Sequence, residues 1–172
     1  KGTTGSGTNW HHLLRSGSGI FGATVYASAS DIAFNTPTTG VWYYYTAVYS
    51  TSGGTTTITT YVNGVQQNTG TTSVALGDTS GTALTIASYP APSNYAGANI
   101  DDFKIYNYAR TARQIVQDMN ANHPAPGSPV GSAAAHWKFD EGAVNMCSGG
   151  TNDACNSGSG GSTYDGAFNA DA

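Results

Sequence analysis

The sequence predicts an all-β protein, and three observations predict it. Only 9% of residues are charged, against about 25% in typical soluble domains. Gly occurs 23 times in 172 residues, well above the usual share of about 7%, and Glu occurs only at Glu141. A helical protein wets its surface with Glu and Lys. This chain uses Thr, Ser, Asn and Gln, which fit half-buried strands and turns. Third, short apolar runs and clean two-residue alternations recur between Gly- and Asn-containing breaks, the pattern of strands joined by turns.

The length fits one domain of ordinary size with an added segment. The net charge of −4 opposes nucleic acid and anionic lipid as partners, since both need basic patches. No apolar run reaches the length of a membrane-spanning helix. No secretory leader is visible, so for an exported protein the expectation is a mature or excised segment. Cys147 and Cys155 sit close together in a Gly/Ser/Asn-rich stretch. A disulfide there is the first reading, and it implies an oxidising, extracellular or cell-surface location. The alternative, a pair of thiolate metal ligands, lacks the second Cys pair of a zinc site.

Strands are expected near His12–Ser16, Ile20–Ala27 and Asp31–Phe34, with residues 17–19 as a turn and residues 35–40 as a loop. Val41–Tyr49 reads as the strongest strand. Val41, Tyr43, Tyr45, Ala47 and Tyr49 line one face, and Trp42, Tyr44, Thr46 and Val48 the other. Two apolar faces predict a central strand covered on both sides. Residues 50–54 make a turn. Thr55–Val62 alternates, with Thr56, Ile58, Thr60 and Val62 on one side. Asn63-Gly64 then supplies the positive φ pair of a tight hairpin, and Val65–Thr69 returns. Ala83–Ser88 and Asn99–Tyr106 are further strands. Thr111 and Gln114 form a capping box for a short helix whose apolar face carries Ala112, Ile115, Val116 and Met119. That helix is expected to pack on an edge or end of the sheets.

Pro124, Pro126 and Pro129 make residues 123–132 a semi-rigid linker. Ala133–Asp140 resumes strand character, with Ala135, Trp137 and Phe139 on one face. From Gly142 onward the chain reads as loop, interrupted by residues 164–168. The expected organisation is a module over residues 1–122, the linker, and the opening of a second, permuted or strand-exchanged module over residues 133–172.

Two segments carry a family resemblance. Gly40-Val41-Trp42-Tyr43, Tyr61-Val62-Asn63-Gly64 and Ile100-Asp101-Asp102-Phe103-Lys104-Ile105-Tyr106-Asn107 with the following helix resemble the second half of a laminin-G-like jelly roll. His136-Trp137-Lys138-Phe139-Asp140-Glu141-Gly142, with Tyr164-Asp165-Gly166, resembles the opening strand and loop of the same kind of module. The resemblance implies a concanavalin A-like antiparallel β-sandwich with one short helix, the linker and an additional strand, as found in bacterial-type extracellular repeat proteins. The order of the two halves is reversed. A slice of a tandem array, a circular permutation, or a strand completing a neighbouring chain each explain that reversal. The last would use His136, Trp137 and Phe139 for self-association, with copies of the chain or neighbouring repeats as partners.

The resemblance also implies a structural calcium ion held by Asp101, Asp140 and the Gly142 carbonyl, an oxygen donor set of the kind hard cations take. The plainer reading is that Asp101 and Asp102 solvate and cap a strand end. Glycans are the other expected ligand. Sugars stack on aromatic rings beside polar groups, and Tyr89, Asn94 and Tyr95 lie together in a Pro-bearing loop. Most of the other rings read as core. His11 and His12 are adjacent, so on a strand they face opposite sides and do not share a metal.

Glucan-cleaving members of this fold carry a carboxylate cluster on one strand, and a glycosidase needs two carboxylates flanking the bond it breaks. No strand here alternates Glu or Asp on one face, and no nucleophile-elbow or nucleotide-loop motif occurs. The expectation is a non-catalytic extracellular structural or adhesive module of a surface repeat protein or filament. A carbohydrate-binding module is the competing expectation.

Overall fold

A computed structural model describes residues 11–17, 20–25, 32–73, 76, 84, 86, 97–121, 133–142, 145–148 and 152–167. The chain forms two compact units. The first is Lys1–Ala91 with Ala109–Asn120, and the second is Pro92–Tyr108 with Ala121–Ala172.

The first unit is an antiparallel β-sandwich. One sheet holds β1 (His11–Gly17), β2 (Ile20–Val25) and β3 (Ile32–Ala33) in that order. The other holds β4 (Tyr45–Ser52), β5 (Thr55–Val62) and β6 (Val65–Thr72). The core contains Ala23, Phe34, Ile58 and Val62, with Phe21, Ile32, Tyr43, Tyr45, Ala47, Tyr49 and Leu76 packed against it. The rings of Phe21 and Phe34 each meet Tyr45 edge-on, with centroids 5.1 Å apart, the geometry aromatic quadrupoles favour. Thr60 Oγ1 and Asn68 Nδ2 both donate to the Ala33 carbonyl, at 2.8 and 2.9 Å. Polar side chains of one sheet thereby satisfy backbone of the other.

The hairpin of β5 and β6 follows its sequence. Thr56, Ile58, Thr60 and Val62 are buried, as alternation requires. Asn63 and Gly64 take φ values of 50° and 78°. The Asn63 side chain accepts from the Tyr44 amide at 2.8 Å, and the Asn63 amide donates to the Tyr44 carbonyl at 2.8 Å. A side chain at position 64 would meet Val116 Cγ2 at 2.9 Å, so the helix packs over this turn and Gly64 admits it.

The expected central strand at Val41–Tyr49 is corrected. β4 begins four residues later and runs to Ser52, and among the described residues it lies at an end of its sheet, with β5 in the middle. The chain bends just before it. The Val41 amide donates to the Thr38 carbonyl at 3.3 Å, and the Thr38 amide to the Tyr43 hydroxyl at 3.2 Å. Val41 and Trp42 are left 52% and 65% exposed.

The helix α1 (Ala112–Asn120) begins where its capping box puts it. The Thr111 amide donates to Gln114 Oε1 at 2.9 Å, and the Gln114 amide donates to Thr111 Oγ1 at 3.3 Å. Its buried face differs from the apolar one expected. Ile115 is 1% exposed and Asp118 8%, whereas Val116 is 39% exposed. Arg110 explains the difference: its Nε donates to Asp118 Oδ2 at 2.9 Å, and its Nη2 bonds the other carboxylate oxygen. A doubly held carboxylate is what makes burial of an acidic residue tolerable.

The second unit is built on β7 (Phe103–Ile105) and β8 (Ala135–Trp137), an antiparallel pair in the register Phe103–Trp137, Lys104–His136 and Ile105–Ala135. Both strands are shorter than the sequence pattern predicts. Asp102 at φ 52° breaks the extended backbone before β7, and Phe139 at φ 59° breaks it after β8. Ala135, His136 and Trp137 are all buried, so both faces of β8 are covered. The stretch after Gly142 is also more organised than a loop. Asn156 bridges to Trp137, Gly166 bridges to Ala154, and a 3₁₀ turn spans Gly161–Tyr164. Cys147 and Cys155 form the disulfide, with Cα atoms 5.1 Å apart.

The region 92–108 belongs with the C-terminal unit, whereas the sequence pattern groups it with the N-terminal module. The Pro-rich linker lies outside the described residues, as does most of the strand expected at Ala83–Ser88.

Candidate functional site

Asp102, Lys104 and His136 form a cluster of ionisable side chains in the second unit. The β7–β8 register places Lys104 directly across from His136, and the turn at Asp102 folds its carboxylate back over both. Asp102 Oδ1 lies 2.8 Å from His136 Nε2, and Asp102 Oδ2 lies 3.9 Å from Lys104 Nζ. A carboxylate only accepts, so in the neutral ring Nε2 carries the proton. The His136 amide donates to Asn156 Oδ1 at 2.8 Å, and the His136 carbonyl accepts from the Ser157 amide at 2.9 Å. Backbone and ring are thus both fixed. Trp137 packs beside Phe103, with centroids 5.8 Å apart, and its Nε1 donates to the Tyr164 carbonyl at 2.8 Å.

Burial pulls the His136 pKa below its ordinary 6.5. The Asp102 hydrogen bond opposes that shift, and Lys104 and Lys138 add to it. A histidine with a lowered folded pKa binds fewer protons folded than unfolded at pH values between the two. Stability is therefore complete above the unfolded value and falls as pH drops below it. The second unit is expected to melt at lower temperature as pH is lowered from about 7 to about 5. His136→Gln should flatten that dependence in a thermal melt; an unchanged pH profile in the variant rules His136 out as its source.

His136, Trp137 and Phe139 are expected from sequence at an exposed or shared edge. In the structure His136 and Trp137 are 5% and 6% exposed, on a strand paired with β7. Phe139 is partly buried in the turn after β8. The β7–β8 pairing brings the two halves of the family signature together.

Asp101 and Asp140 are both exposed. Asp101 precedes β7 and Asp140 follows β8, so the antiparallel pairing puts both at the same end of the strand pair. One Asp101 oxygen accepts the Asp102 amide at 2.9 Å, leaving the second open in that contact. Gly142 takes φ 70° in the same exposed turn. The donors are all oxygen, the atom type a hard cation takes. Groups of three or more His, Cys, Asp or Glu placed for a metal are absent among the described residues, so calcium here would rely on two carboxylates, a carbonyl and water.

Tyr89, Asn94 and Tyr95 lie outside the described residues. Sequence reasoning missed two sets. The Asp102–His136 contact spans 34 positions, and no local pattern reveals it. The Arg110–Asp118 pair was readable in principle. Asp118 falls on the helical face of Ile115, and an acidic residue on a buried face requires a cation nearby.

The family model Laminin_G_3, for the concanavalin A-like lectin/glucanases superfamily, matches residues 2–116, more than half of the chain. The chain belongs to that superfamily. No curated protein matches it. Among solved structures, it is similar to residues 221–444 of an S-layer domain-containing protein from Clostridium thermocellum ATCC 27405, at 22% identity and a TM-score of 0.36. That likeness covers 69% of this chain, which spans 60% of the solved one.

Proposed function

We propose that the chain is a non-catalytic structural or adhesive module of an extracellular surface protein. One observation carries the reading: five of the seven described carboxylates are engaged in holding the fold. Asp118 holds Arg110, and Asp102 holds His136. Asp153 Oδ1 accepts the Asn145 amide at 2.7 Å, Glu141 Oε1 the Cys155 amide at 3.1 Å, and Asp165 Oδ1 the Asn156 amide at 2.7 Å. Carboxylates tied to backbone amides in this way are poor candidates for the flanking acid and base of glycoside cleavage. The disulfide supports an oxidising location.

A second reading, carbohydrate binding, is favoured by Trp42. Trp42 is 65% exposed, which leaves an aromatic side chain available for stacking on a sugar. A glycan array separates the two. The structural reading expects no saturable sugar binding. Specific binding that disappears in Trp42→Ala or Tyr95→Ala would replace it with the lectin reading.

Calcium held by Asp101, Asp140 and the Gly142 carbonyl is part of the same proposal, as an ion that fastens the two exposed turns flanking β7 and β8. Asp101→Ala should lower the melting temperature when calcium is present and leave it unchanged in chelator. Equal losses in both conditions would sink the calcium assignment.

A further inference from the structure

Asn-Gly occurs once in the chain, at Asn63-Gly64. The side-chain amide of an asparagine is open to attack by the backbone nitrogen of the next residue. Glycine at that next position has no Cβ, so the approach to its nitrogen is unhindered. The two residues lie between the strands, where the β5–β6 ladder closes at Val62 and Val65. Asn63 is exposed, so water reaches its side chain.

Two sets of contacts decide what such an attack does to the fold. Asn63 Oδ1 accepts from the Tyr44 amide at 2.8 Å, and the Asn63 amide donates to the Tyr44 carbonyl at 2.8 Å. This clamp ties the turn to the segment that enters β4. A Cβ built at position 64 would lie 2.9 Å from Val116 Cγ2 and 3.6 Å from Met119 Cε. The helix α1 therefore sits against Gly64 and leaves it little room to move.

We infer that Asn63 is a self-modification site, a chemical clock built into the hairpin turn. The Gly64 nitrogen, its proton lost to base, bonds to Asn63 Cγ, and the side-chain nitrogen leaves as ammonia. Water then opens the resulting succinimide at either carbonyl. One opening gives aspartate. The other gives isoaspartate, whose main chain runs through the former side chain and is one carbon longer. Either product adds a negative charge to a chain of net charge −4. Aspartate tolerates the left-handed backbone of the turn and keeps an oxygen for the Tyr44 amide. Isoaspartate does neither job. Its extra carbon spoils the match between a two-residue turn and the twist of its strands, moves the acceptor away from Tyr44, and shifts Gly64 against Val116. Because the clamp holds the side-chain carbonyl, attack occurs when the turn opens locally, so folding slows the reaction without stopping it. The inference stands apart from the structural and lectin readings.

Peptide mapping by mass spectrometry tests it, on the full chain held in warm, mildly alkaline buffer with and without urea. The Asn63 peptide is expected to convert before that of any other asparagine, to both aspartate and isoaspartate, and more slowly in the folded chain than in urea. The isoaspartyl protein, separated by chromatography, should melt at a lower temperature than the starting chain, whereas Asn63→Asp should melt close to it. An Asn63 that stays intact in the folded chain overturns the assignment, as does earlier conversion of another asparagine. An isoaspartyl protein that melts like the parent overturns it too, and so does an Asn63→Asp chain destabilised as much as the isoaspartyl one.

Discussion

Arg110→Ala is expected to destabilise the first unit by about 3–5 kcal/mol, the usual cost of removing one partner from a buried ion pair. Arg110 is 5% and Asp118 8% exposed. Deleting the guanidinium removes the Arg110 Nε and Nη2 donors from the Asp118 carboxylate and leaves a largely buried charge without its counter-charge. The loss of the pair itself is a different quantity. Replacing both members with apolar residues of similar volume, Arg110→Met with Asp118→Leu, should recover most of the stability, because the desolvation cost disappears along with the attraction. Chemical denaturation of the two variants checks this. If Arg110→Ala costs under about 1 kcal/mol, the pair behaves like a surface salt bridge and the account of the helix face is wrong.

Ile58→Ala is expected to cost about 2–5 kcal/mol. Ile58 is 1% exposed in the middle strand of its sheet, and it packs with Ala23, Phe34 and Val62. Its register neighbours are Tyr49 on β4 and Gly70 on β6. Gly70 has no side chain to swing into a vacated space, so the cavity collapses poorly and the value should fall in the upper part of that range. Ile58→Val should cost only about 0.5–1.5 kcal/mol. The pair of denaturation midpoints separates a packing effect from a change in strand propensity, since Val is at least as good a strand former. An Ile58→Val variant as stable as the parent beside a costly Ile58→Ala would point to propensity rather than packing.

What was legible in the sequence was what is decided locally. The Thr55–Val62 strand, the Asn63-Gly64 turn and the Thr111–Gln114 cap each rest on residues within a few positions of one another, and each forms where the pattern puts it. The Val41–Tyr49 strand misled because rings on both faces imitate a doubly covered strand. In the structure Tyr43 spends its hydroxyl on the Thr38 amide, and the segment bends before pairing starts. The candidate site was only half legible. The sequence put Ile100–Asn107 and His136–Gly142 in relation through resemblance. It could not say that Asp102, with its positive φ, turns its carboxylate onto His136, because that depends on residues 34 positions apart. The helix face was misassigned because hydrophobicity alone ranks Val116 above Asp118, whereas Arg110 inverts the order.

The interleaving of the two units has a covalent consequence. The second unit is assembled from Pro92–Tyr108 and Ala121–Ala172, while the helix between them belongs to the first. A protease that cuts within residues 122–132 therefore does not release a free C-terminal domain. It leaves β7 on one fragment and β8 on the other, held together by non-covalent contacts such as the Phe103–Trp137 register and the Asp102–His136 contact. Nor can β7 find its partner during synthesis until the chain has grown past Trp137. The backbone is threaded so that neither unit is a bead that can be cut from a string.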